Sequence, residues 1–220
     1  MRRTLITATA TICAAGLIAT GGADAASPKK LKGDYAFTGT FSCLNAPGSD
    51  PGPGNPTPGT ALPNSGFNDK LQPLVNATTF SSSAVTEGIV SFKNDGTGTY
   101  TATTMANTNR PTPGPTGYPS FPAASSTNTN SASFTYVVNS DDTLEFKLSG
   151  LVTGTFLSGP RTGQTFSVDA APLTGLISKD GNTLTMASVT PVVETVTYSN
   201  GDVWPRICVR SRVLVKMDKD

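Results

Sequence analysis

Histidine is absent from all 220 residues of this chain. That removes the imidazole that activates serine and cysteine nucleophiles, the commonest catalytic zinc ligand and the usual axial ligand of haem. Charge is scarce as well: Asp, Glu, Lys and Arg make up 14% of the residues, against roughly 25% in an ordinary soluble domain. With a formal net charge of +1, the chain lacks the clustered positive surface that a phosphate backbone requires, so nucleic acid is not expected as a partner. Glutamate is limited to Glu87, Glu145 and Glu194, tryptophan to Trp204, and cysteine to Cys13, Cys43 and Cys208.

The N-terminus has the pattern of an export signal. Arg2 and Arg3 precede an apolar stretch from Leu5 to about Ala19, and Ala23-Asp24-Ala25 fits the small-x-small rule for cleavage. The reading is a signal peptide over 1–25, cleaved after Ala25, and a secreted or periplasmic product. The apolar stretch falls short of the roughly 20 residues that span a bilayer, so the mature chain is expected to have no membrane span. Residues 26–220 then read as one domain. Cys43 lies in its first strand-like segment and Cys208 in its last, and an oxidising compartment favours a disulfide between them. Two buried free thiols are the alternative.

Period-two alternation dominates the remainder of the chain. In 33–44, Tyr35, Phe37, Phe41 and Cys43 share one face and Ala36, Thr38, Thr40 and Ser42 the other, with Gly39 on the aromatic side where a strand can bend. Hairpins are predicted for 86–93 with 97–105, 133–138 with 143–148, 173–178 with 183–189, and 192–198 with 203–215. Their connections carry Asp-Gly or Asn-Gly in three cases, residues that accept the positive φ of tight turns. Segments 150–157 and 165–169 add two strands. Proline and glycine crowd 45–65 and 107–130, which read as long loops, and Phe67, Leu71 and Leu74 suggest a single helical turn. The fold expected is all-β: an antiparallel up-and-down barrel of about eight to ten strands closed by the disulfide, with a β-sandwich as the alternative.

No residue is assigned a catalytic role, and no cofactor or metal is expected. The Asp-Gly and Asp-Asp runs lack the ligand periodicity of a calcium loop and are explained by their turns. One constellation remains. Cys208, Arg210, Arg212 and Leu214 share a strand face, and a cross-strand disulfide puts that face on the same side as Tyr35, Phe37 and Phe41. If that side is the interior, the barrel encloses cationic groups above aromatic walls, a site for a small apolar or anionic amphiphilic ligand in a cavity of a few hundred cubic ångströms. A β-bulge that flips the register would instead send the arginines outward, and packing them over aromatics would make a plug. Two further readings stay open. One is a surface or envelope interaction protein meeting its partner through the Pro/Gly loops. The other is a barrel isomerase or carbohydrate-active enzyme with Glu194 or Glu87 as base.

The opening Gly33-Asp34-Tyr35 and the closing Ile207-Cys208-Val209-Arg210-Ser211 resemble a group of largely uncharacterised secreted bacterial β-barrel proteins and, distantly, the lipocalin-type calycins. That resemblance covers the two chain ends. It implies a barrel of eight or more strands that binds a small molecule, with Tyr35 in place of the calycin tryptophan and Arg210, or Arg206 or Arg212, as its basic partner. It implies no catalytic residue.

Overall fold

Apolar side chains on one face and Thr or Ser on the other carry most of the described residues into a single antiparallel sheet. The structure, a computed structural model, describes residues 31–48, 59–109 and 123–217. Its strands are β1 (Gly33–Asn45), β2 (Phe80–Phe92), β3 (Thr97–Asn109), β4 (Ala124–Val138), β5 (Thr143–Leu148), β6 (Val152–Phe156), β7 (Thr165–Asp169), β8 (Leu173–Ile177), β9 (Thr183–Ala187), β10 (Val193–Tyr198) and β11 (Val203–Lys216). The signal-peptide reading over 1–25 and the tips of both Pro/Gly segments lie outside the described residues.

Pairing of β1 with both β2 and β11 closes the sheet. The C-terminal half of β4 pairs with β5 and its N-terminal half with β6, and β11 divides itself between β9 and β10 in the same way. β5–β6, β7–β8 and β9–β10 are therefore three barrel staves, each interrupted midway. The eleven segments fill eight positions around the ring. The barrel expected from the sequence is the one observed, and the sandwich is not. The interruptions have a local cause: Pro172 and Pro191 have no N–H to give a ladder, and Ser149-Gly150 is a poor strand sequence. They fall side by side and form a seam across one wall. We call the end carrying the β1–β2, β3–β4, β6–β7 and β10–β11 connections the mouth, and the end carrying the short β2–β3, β4–β5 and β8–β9 turns the base.

Each base turn is built by an aspartate. Asp95, Asp141 and Asp180 accept the amide N–H two residues on, at 3.0, 3.1 and 3.0 Å. Gly96 and Gly181 take positive φ there, and in the turn without glycine Asp142 does so at 64°. Two expectations are corrected. The loop expected over 107–130 is shorter, because β3 continues to Asn109 and β4 starts at Ala124. The polar residues at 124–130 extend the sheet, where the Asn130 side chain donates to Asn128 Oδ1 and to Thr104 Oγ1 of β3. The helical turn over 67–74 is absent: Asn68 Oδ1 accepts the amides of Lys70 and Gln72, Phe67 bridges Pro73, and a single 3-10 turn follows at Asn76–Thr78.

The base half is filled by side chains. Phe92 meets Tyr35, Phe134 and Tyr136 edge-on, with ring centroids 5.0–5.3 Å apart, and Phe134 packs on Phe146 at 4.2 Å. Val90, Leu144, Ile177, Leu184 and Leu214 close the gaps between them. The polar tips of these rings are satisfied at the rim. The Tyr35 hydroxyl donates to the Gly181 carbonyl at 2.8 Å, and the Tyr136 hydroxyl lies 2.8 and 2.7 Å from the carbonyls of Leu31 and Lys93.

Candidate functional site

Regular alternation along β11 turns Trp204, Arg206, Cys208, Arg210, Arg212 and Leu214 inward. No bulge flips the register: Cys43 stands directly opposite Cys208, joined to it by the disulfide, with Phe41 opposite Arg210 and Gly39 opposite Arg212. The missing side chain at Gly39 matters here. A Cβ on it would lie 2.8 Å from Arg212 Cγ and 2.5 Å from the Ser211 carbonyl, so glycine makes room for the arginine stem. Arg212 lies over the rings of Phe37 and Tyr100, at 5.2 and 5.3 Å, and Arg210 lies 5.9 Å from the Phe41 ring.

One carboxylate enters this interior. Glu194 of β10, 1% exposed, receives both terminal nitrogens of Arg210, Nε of Arg206 at 3.1 Å, and the Ala171 amide at 2.8 Å. Ala171 sits in the seam, so the carboxylate also satisfies a backbone N–H that the broken ladder leaves over. Ser188 does the same on the next stave, its hydroxyl accepting the Arg210 amide at 2.8 Å. Burial pushes the Glu194 pKa up, but the hydrogen bond and charge of Arg210, the charge of Arg206 and the Ala171 amide outweigh it and hold the group below its ordinary value. Burial lowers the pKa of Arg212, partly countered by its contact with Tyr100, and raises that of the Tyr100 hydroxyl against the pull of Arg212 and Arg210. Among the described residues no carboxylate pairs with Arg212.

Between these groups and the opposite wall is a chamber of about 150 Å³. Arg206, Arg210 and Arg212 line it, together with Phe41, Phe146, Phe166, Tyr100 and a polar column of Thr86, Thr104, Asn128 and Asn130; among the described residues no acidic one does. Above it the mouth is belted by aromatics. Phe80 meets Trp204, Trp204 meets Tyr198 at 4.8 Å, and Tyr198 stacks towards Phe156. Arg161 lies over Tyr198 and Trp204, at 4.0 and 4.6 Å, tied to Asp202 at 2.7 Å. A larger open depression of about 1130 Å³ lies outside the barrel, lined by Thr and Ser alternating along the strands, with Glu87 as its one charged side chain. The half-enclosed chamber inside the barrel, where charge is partly desolvated, is the stronger candidate.

Of the residues singled out in the sequence, Phe41, Arg210 and Arg212 line this chamber. Tyr35 and Phe37 are placed below it: Tyr35 belongs to the packed base, and Phe37 supports Arg212 from beneath. Of the arginines that the calycin resemblance implied as partners of Tyr35, Arg210 lies over Phe41 and Arg212 over Phe37 and Tyr100. The chamber is also smaller than a few hundred cubic ångströms, because Phe134, Tyr136 and Phe146 fill the base. Glu87 and Glu145 are exposed on the outer face. The polar column has no signature of its own in the sequence, although counting back by twos from Phe134 reaches Asn130 and Asn128. Among the described residues no cluster of Cys, Asp or Glu is arranged to hold a metal ion, and no helix is long and apolar enough to cross a membrane. No protein-family model matches this chain, and no curated protein matches it.

Proposed function

We propose that this barrel is an exported, non-enzymatic binding protein whose chamber takes a compact organic monoanion, a carboxylate attached to a body about the size of one aromatic ring. The observation that carries the reading is the imbalance in the lining: among the described residues it has three guanidinium groups and no acid, with Glu194 behind them engaging Arg210 and Arg206 and leaving Arg212 without a carboxylate. A cation drawn partly out of water without a counterion is costly, and a ligand carboxylate received by the guanidinium fork relieves that cost. The size argument narrows the ligand. About 150 Å³ is the volume of cavity that holds a benzene ring, so a long-tailed amphiphile is too large. An enzymatic role for Glu194 gains no support, since a carboxylate held ionised between two guanidiniums is a weak base, and Glu87 faces solvent.

Calorimetric titration of benzoate into the disulfide-intact protein tests this. One site per chain is expected, and Arg212→Gln is expected to weaken it roughly ten- to a hundredfold, the worth of one charge-assisted hydrogen-bonded pair. Absence of binding to the unmodified protein at millimolar benzoate, or equal binding by Arg212→Gln, would overturn the proposal.

A further inference from the structure

The wall facing the arginines carries a second polar group whose direction is fixed. The register runs Arg212, Gly39, Thr86, Thr104, Asn128 across five neighbouring strands. β4 lies four positions from β11 in a ring of eight, so Asn128 and Arg212 stand on opposite walls of the chamber. The chain of hydrogen bonds beside Asn128 ends on a backbone carbonyl, which can only accept. Thr86 Oγ1 donates to the Thr103 carbonyl at 3.3 Å, Thr104 Oγ1 to Thr86 Oγ1 at 3.0 Å, and Asn130 Nδ2 to Thr104 Oγ1 at 3.1 Å. Asn130 Nδ2 gives its other hydrogen to Asn128 Oδ1, also at 3.1 Å. Each member is thereby oriented, with Asn128 Oδ1 turned to Asn130 and the Nδ2 group of Asn128, two donors, left over. Asn128 is 7% exposed and lines the chamber, and among the described residues its Nδ2 donates to none. Buried amide donors are nearly always paired, and the cost of leaving them unpaired points to a partner that the protein itself does not provide.

We infer that the ligand has polar groups at both ends: a carboxylate at Arg212 and, across a single ring, a hydrogen-bond acceptor received by Asn128. This rests on the reading of the chamber as an anion site and adds the class within it, a benzoate bearing a hydroxyl or carbonyl oxygen para to its carboxylate. The aromatic walls leave room for a flat body between the two ends, and the two unpaired Nδ2 hydrogens of Asn128 call for an acceptor at the second end.

The test compares benzoate, 4-methylbenzoate, 4-hydroxybenzoate and 4-formylbenzoate by calorimetry on the full disulfide-intact chain. The methyl and hydroxyl compounds have nearly the same shape, so their difference reads the polar end alone. The hydroxyl and formyl compounds are expected to bind roughly tenfold more tightly than 4-methylbenzoate, and Asn128→Ala is expected to collapse that difference. Binding of benzoate with no advantage for the hydroxyl and formyl compounds overturns the inference and leaves the anion site standing. An advantage that survives in Asn128→Ala overturns it too. If no member of the series binds, the anion site falls, and this inference with it. The series on the unmodified protein decides the matter even if the variant does not fold.

Discussion

The two halves of this barrel share five continuous strands and yet are built on opposite principles. In the base half every inward position is apolar or aromatic, the rings touch edge-to-face, and the few polar tips reach the backbone at the rim. In the mouth half the same alternation delivers Arg206, Arg210, Arg212, Glu194, Thr86, Thr104, Asn128 and Asn130 to the interior, and a chamber is left between them. Such a half cannot be held by burial of hydrocarbon alone. It relies on a charge network, a hydrogen-bonded column and one covalent link. The contrast separates stability from function: the base anchors the ring so that the mouth can keep an incompletely neutralised interior, at positions where a solid core would have been more stable.

Breaking the covalent link is expected to have the largest effect. The Cys43–Cys208 disulfide encloses 165 positions and lies in the mouth half, at the junction where β1 meets β11. In the chain-entropy account its removal costs up to about 5 kcal/mol. Urea unfolding of Cys43→Ser/Cys208→Ser should show a midpoint far below that of the parent. A midpoint shift worth under about 1 kcal/mol would mean that the mouth half holds its ring without the clasp. The matching experiment on the base is Phe134→Ala, which empties a site wholly shielded from solvent and in contact with three aromatic rings. About 3–5 kcal/mol should be lost. Benzoate affinity measured well below the new midpoint should stay within twofold of the parent. A parallel loss of affinity would show that the halves are energetically one unit.

The part of this architecture legible in the sequence was the part ruled by period two. Counting from Cys43 to Tyr35 and from Cys208 to Leu214 assigns the inward residues of those stretches of the two closing strands, Arg210 and Arg212 included, once the cysteines are taken as a pair. Asp-Gly and Asn-Gly marked the turns, and Pro172 and Pro191 fell between segments read as separate strands. What was hidden depends on partners distant in the chain. Residues 124–130 are Ala, Ser, Thr and Asn, a composition that reads as loop, and they become strand because Asn130 reaches Thr104 across the barrel wall. The role of Glu194 is not readable on its own strand, because the groups that define it, Ala171, Arg206 and Arg210, come from two other segments. Chamber volume was illegible for a similar reason. It is set by how Phe134, Tyr136 and Phe146 meet, a matter of packing between strands.

The smallest expected effect also discriminates most sharply, because it acts on one group. Glu194 has a folded pKa below its ordinary 4.5, so its ionised form is favoured by folding. The stability it contributes is fully present above about pH 4.5 and is lost as pH falls through the lower folded value. Protonation there removes the counter-charge of Arg210 and Arg206, leaving three inward guanidiniums facing one another. Among the described residues the base half has no inward carboxylate; its turn aspartates are exposed, and their hydrogen bonds compete with water. Acidification should therefore loosen the mouth before the base. Trp204, the one tryptophan, sits in the aromatic belt of the mouth and reports on it by fluorescence, while amide exchange along β8 and β9 reports on the base. Below pH 4.5 the tryptophan signal should change first in the parent protein, and in Glu194→Gln the acid-induced step should be missing. If the variant retains the same step, the acid sensitivity belongs to the exposed aspartates and the two halves titrate alike.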